Sequence, residues 1–128
     1  MATEQQLIPD QAFEASGDLS SDQFHAVFID GDGRITTVSS TTQHIDGILQ
    51  DKPSAAGRAG AIRKIGKSKV MLGGTVNEGD TLAADTSGHA VAIDLAAITD
   101  RWLIGTSLTN GISGEIGTAD LNIQYVGG

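Results

Sequence analysis

The chain has 128 residues, carries 16 acids against 8 lysines and arginines for a formal charge of −8, and contains no cysteine. Disulfides, thiolate metal sites and cysteine nucleophiles are therefore excluded, and nucleic acid or anionic membrane is disfavoured as a partner unless a local basic patch overrides the mean. No apolar run approaches the roughly 20 residues that span a bilayer, and MATEQQLIPDQ lacks the basic start and apolar middle of a signal peptide.

In chain order, the first fifteen residues are polar, with one apolar knot at Leu7, Ile8 and Pro9 and then Phe13. They read as an extended N-terminal arm, 1–15, that borrows its core from something else, or else as a frayed terminus, ahead of a single β-rich domain over 16–128. QFHAVFI (23–29) is apolar on both faces over most of its length, as a buried strand is. DGDG follows, and then RITTV. An EF-hand loop with Asp30 and Asp32 at its third and fifth positions would put Phe28 at the first and Ser39 at the twelfth, and neither can serve as the required carboxylate ligand. Residues that tolerate positive φ between two strand-like runs make DGDG a hairpin turn instead.

HIDGILQ (44–50) is a further strand, closed by Pro53. AGAIRKIGKSKVML (59–72) reads as two strands meeting near Gly66. Its GKS ending fails as a phosphate-binding loop, because the leading glycine position falls on Ala61 and a strand follows where a helix is needed. GHAVAIDL (88–95) alternates, with Val91, Ile93 and Leu95 facing one way and Ala90, Ala92 and Asp94 the other. A short helical turn is expected within LAAITDR. ADLNIQYV (119–126) should turn Leu121, Ile123 and Tyr125 inward and keep Asp120, Asn122 and Gln124 wet.

Short strands at short spacing predict an all-β fold: a small compact β-barrel or sandwich with an extended N-terminal arm and at most one short helix. The echo of GDL at 17 and EGDTL at 78 is too brief to define a repeat. His25, His44 and His89 are far apart in sequence and are read as solvated or core-edge residues. With no nucleophile elbow and only diffuse acids, no catalytic residue, cofactor site or metal site is assigned, and the chain is read as a non-enzyme. Six of the eight bases crowd into 52–69: Lys52, Arg58, Arg63, Lys64, Lys67 and Lys69. Lysines on strands keep a sheet soluble and discourage edge pairing, and a docking stripe for an acidic partner is the competing reading. Nucleic acid fits this stretch less well, because no aromatic residue between 58 and 69 could stack a base.

Three stretches carry a family resemblance in their order and spacing: GDLSSDQFHAVFIDGDGRI (17–35), DGILQDKPSAAGRAGAIRKIGKSKVMLGGTVNEGDTLAADTSGHAVA (46–92) and WLIGTSLTNGISGEIGTADLNIQYV (102–126). Together they resemble the small capsid cement, or decoration, proteins of tailed bacteriophages. The resemblance implies a virion protein assembled in the host cytoplasm. It would bind the major capsid protein on the outer surface of the expanded head, as a homotrimer, and stabilise it against DNA pressure. It implies no cofactor, no nucleic acid partner and no membrane. The candidate contacts with the capsid or between subunits are Leu7, Ile8, Pro9 and Phe13 in the arm and Arg58, Arg63, Lys64, Lys67 and Lys69 in the basic stretch. The alternative is a β-barrel binding module for a glycan or host surface protein, which would show a concave site with exposed aromatics.

Overall fold

The computed structural model describes residues 10–97 and 100–126. Among the described residues ten strands form two five-stranded antiparallel sheets. The first sheet holds β1 (Asp10–Glu14), β2 (Ala26–Ile29), β3 (Ile35–Thr37), β4 (Gly47–Leu49) and β5 (Ala59–Arg63). The second holds β6 (Ile65–Met71), β7 (Thr81–Ala84), β8 (Ala90–Ile93), β9 (Arg101–Ser107) and β10 (Ile116–Val126). A 3₁₀ turn at Leu95–Ala97 is the one helical element among the described residues. The fold is all-β, as the short strand runs predict. The segment 59–72 does hold two strands, but they meet at Lys64, and Gly66 sits inside β6 with φ +87°.

The two sheets have the same construction. Their strand orders are β1-β5-β4-β2-β3 and β6-β10-β9-β7-β8, so adding five to each label converts one into the other. Registers repeat as well. A shift of 55 positions carries the pair Ile29 and Ile35 onto Ala84 and Ala90. A shift of 57 carries Asp10 and Arg63 onto Lys67 and Asp120. In each unit the residue after the first strand reaches the third strand in parallel, Ala15 to Ile35 and Leu72 to Ala90. Ser16 N donates to the Ile35 carbonyl at 3.0 Å, and Gly73 N donates to that of Ala90 at 2.9 Å. These bridges join the two edges of each sheet and curl it towards a closed barrel, which shields its edge strands.

The chain is thus two tandem copies of one five-stranded unit, joined at Lys64. This corrects the sequence reading, which saw no repeat. The G-D echo pairs the wrong residues, since register places Gly17 on Gly74 rather than on Gly79. Identities between the units are mostly glycines at shared turns and close approaches: Gly17 with Gly74, Asp30 with Asp85, Gly33 with Gly88, Gly47 with Gly105, Gly57 with Gly114 and Gly60 with Gly117.

Both barrels bury the same positions. Ala15, Leu19, Val27, Ile35, Leu49 and Ile62 fill the first. Their counterparts Leu72, Val76, Leu82, Ala90, Ser107 and Ala119 are buried in the second. Ala26, Val38, Ile45 and Ile48 lie on the outside of the first barrel and join the second unit's core cluster, so apolar burial continues between the units. There the β7–β8 turn seats on β2: Ala26 N donates to the Gly88 carbonyl at 2.8 Å, and a Cβ on Gly88 would strike Thr37 Cγ2.

DGDG is a turn. Asp30 Oδ1 accepts from Asp32 N at 2.9 Å and Arg34 N at 3.0 Å, and Gly33 takes φ +76°. These backbone donors hold the Asp30 carboxyl below the ordinary aspartate value. Asp85 repeats the arrangement in the second unit, accepting from Ser87 N at 2.8 Å and His89 N at 2.9 Å. GKS lies within β6, with Lys67 exposed and Ser68 buried. In β8 Ala90 is the core residue, Val91 and Ile93 are half-buried, and Leu95 is exposed in the 3₁₀ turn. In β10 Leu121 is buried and Ile123 packs on the core, but Tyr125 is 51% exposed, against the inward orientation expected. It lies beyond a register shift between Leu121 and Gln124, which resets the alternation.

Candidate interaction surfaces

The basic stretch does not form one face. Arg58 is exposed at the mouth of a shallow recess of about 200 Å³, lined also by Asp51, Lys52, Pro53, Ser54 and Ala59. Arg63 points elsewhere and is engaged internally. Its Nε and Nη2 meet the two oxygens of Asp10 at 2.6 and 3.0 Å, while Nη1 donates to the Lys67 carbonyl at 2.9 Å. One guanidinium thereby ties β1 and β5 to β6, across the junction of the units. The hydrogen bonds to Asp10 raise its pKa above the ordinary arginine value. Lys64 is exposed at the junction, and Lys67 and Lys69 are exposed on β6. Lys69 Nζ lies 5.9 Å from the centroid of the Phe24 ring.

Of the arm, residues 10–14 form β1, paired along β5 from Asp10 with Arg63 to Glu14 with Ala59. Phe13 is half-buried against the first barrel's core. Leu7, Ile8 and Pro9 lie outside the described residues.

Sequence reasoning missed an apolar tip in the second unit. Leu108, Ile112 and Ile116 are 38, 58 and 53% exposed, half of the large exposed apolar side chains among the described residues. The turn Ile112–Glu115 builds the tip: Glu115 N donates to the Ile112 carbonyl at 3.1 Å, Glu115 Oε1 accepts from Ile112 N at 2.9 Å, and Gly114 has φ +90°. The signal in the sequence is GISGEI, a turn with an isoleucine on each side. The tip corresponds by register to the recess of the first unit, since Ala59 pairs with Glu14 as Ile116 pairs with Met71.

Aromatic rings form a row rather than a cavity. Phe28 and His44 have centroids 5.4 Å apart, His44 and Trp102 6.2 Å, and Trp102 and Tyr125 5.7 Å. The Tyr125 hydroxyl donates to Asp100, which raises its pKa. Among the described residues no aromatic side chain lines the recess. His25 and His89, remote in sequence, meet between the units with ring centroids 4.6 Å apart and the rings tilted by 55°. Among the described residues no three His, Asp or Glu side chains converge as a metal site would require.

No family model matches the chain, and no curated protein matches it. Among solved structures it is similar to the N base of head fiber gp8.5 in bacteriophage phi29, with a TM-score of 0.66 and 15% identity over 88% of this chain and 92% of that one. At that identity the likeness shows a shared fold.

Proposed function

We propose that this protein is a non-enzymatic structural component of a tailed-phage head. In this reading it binds the major capsid protein on the outside of the expanded shell, as a cement or decoration subunit, and resists rupture by packaged DNA. The observation that carries the reading is the likeness, over nearly all of both chains, to a protein named as the base of a phage head fiber. The ordered resemblance to cement proteins in 17–35, 46–92 and 102–126 points the same way.

The construction suits that work. Two fused barrels with repeated cores are held together by apolar burial without disulfides. Many copies each binding at about micromolar strength, near −8 kcal/mol, would together oppose shell opening. The capsid contacts in this reading are the segment before Asp10, with Leu7, Ile8 and Pro9, and the exposed Lys64, Lys67 and Lys69, while Arg58 is a contact between subunits. Arg63 acts inside the molecule, and the working form is a homotrimer. Co-sedimentation with expanded and unexpanded empty shells tests the proposal. Saturable binding to expanded shells alone is expected, and binding to neither form overturns it.

A further inference from the structure

The two units serve as controls for one another, because the paired strand positions of one have counterparts in the other whose surroundings can be compared. Where the first unit packs on the second, Ala26 and Ile48 are fully buried. Their counterparts are Thr81 and Thr106, exposed or half-exposed polar residues on a surface that none of the described residues covers in the same way. That is the pattern of a terminal repeat whose open face has been made polar. The loop between the fourth and fifth strands changes in the opposite direction. In the first unit it carries Gln50, Ala55, Arg58 and Ala59; in the second the same places hold Leu108, Ile112, Glu115 and Ile116. An unburied loop that gains three large apolar residues, while the open end of the tandem exchanges Ala26 and Ile48 for threonines, is marked as a contact surface rather than as unused core.

We infer that the apolar tip of one copy docks into the recess of a second copy of this chain, with Ile112 and Ile116 entering beside Pro53 and Ala59 and Glu115 meeting Lys52 and Arg58. Two features select this occupant. The recess, about 200 Å³, sets Pro53 and Ala59 among the polar and basic residues Lys52, Ser54 and Arg58, so an exposed isoleucine with a carboxylate beside it meets both kinds of partner there. The charges are complementary, since Arg58 of the first unit is replaced at the equivalent position by Glu115 of the second. The one carboxylate in the recess, Asp51, is tied back to Ala61 N at 3.1 Å. Tip and recess are different surfaces, so the contact is head-to-tail and closes into a ring or extends into a filament according to its angle.

The test needs no shell, so its failure and the failure of the head-binding reading are separate results. Sedimentation equilibrium of the full chain over a range of concentrations should show reversible self-association. Ile112→Lys and Arg58→Glu should each raise the apparent dissociation constant at least about tenfold without moving the melting temperature measured at concentrations where the wild type is monomeric. Glu115→Arg should do the same, and the double exchange Arg58→Glu with Glu115→Arg should bring association back to within about threefold of the wild type. Glu115→Arg loses the acceptor for Ile112 N; if that variant fails to fold, the Ile112→Lys and Arg58→Glu pair decides. A wild type that stays monomeric at every concentration, or association untouched by Ile112→Lys, overturns the inference. So does a folded double exchange that stays dissociated.

Discussion

Gly47 and Gly105 stand at the same place in the two units, each against the carbonyl of the neighbouring strand. A Cβ on Gly47 would lie 2.9 Å from the Arg63 oxygen, and one on Gly105 would collide with the Asp120 oxygen. Arg63 and Asp120 are themselves counterparts, so the close approach belongs to the unit and not to either copy. Gly105 also takes φ +153°, where a side chain is strained.

Gly105→Ala should therefore destabilise the protein by at least about 2 kcal/mol, and Gly47→Ala by less, about 1–2 kcal/mol. Urea denaturation of the two variants checks both the loss and the order. Equal midpoints for the variants and the wild type would remove the shared close approach as a determinant of the fold.

How much of this was legible in the sequence depended on the range of the interaction. The DGDG turn was readable because Asp30, Asp32, Gly33 and Arg34 are neighbours and their geometry is local. The repeat was not, because the shared residues are mostly glycines selected by backbone approach, while the core positions exchange freely, Ile62 for Ala119 and Leu49 for Ser107. Composition put Arg63 in a basic stripe, yet its partner Asp10 is 53 positions away and only strand pairing brings them together. Tyr125 was misplaced because period-two counting runs through a register shift without seeing it.

The three-way role of Arg63 gives a second prediction. Arg63→Ala should lower stability by about 1–2 kcal/mol, a modest value because the ion pair with Asp10 is about one-third exposed and partly screened. Lys67→Ala should change stability by no more than about 0.5 kcal/mol. Thermal unfolding of both variants separates a structural arginine from a surface lysine.

Asp30 predicts a pH dependence. Its folded pKa is depressed, first by the hydrogen bond from Arg34 N and then by that from Asp32 N. Its contribution is present at neutral pH, above the unfolded value, and is lost as pH falls through the folded value, below about 4. Asp30→Asn should melt below the wild type at pH 7, and the gap should narrow on acidification to about pH 3. A gap that is constant across this range would mean that the carboxylate charge is not what the turn uses.

Salt distinguishes a docking stripe from a solvated face. If Lys64, Lys67 and Lys69 meet the shell, raising salt from about 50 to about 500 mM should weaken binding to expanded shells. The triple alanine variant should bind more weakly at low salt and show a flatter salt response. Binding indifferent to both changes would leave those lysines as solubilising residues of an exposed strand.

The most direct measurement is a cryo-electron microscopy reconstruction of empty shells of the cognate virus, expanded and unexpanded, after incubation with excess protein. The account predicts ordered density for paired five-stranded barrels on the outer surface of expanded shells and none on unexpanded ones. Expanded shells that stay bare at saturating protein would contradict it.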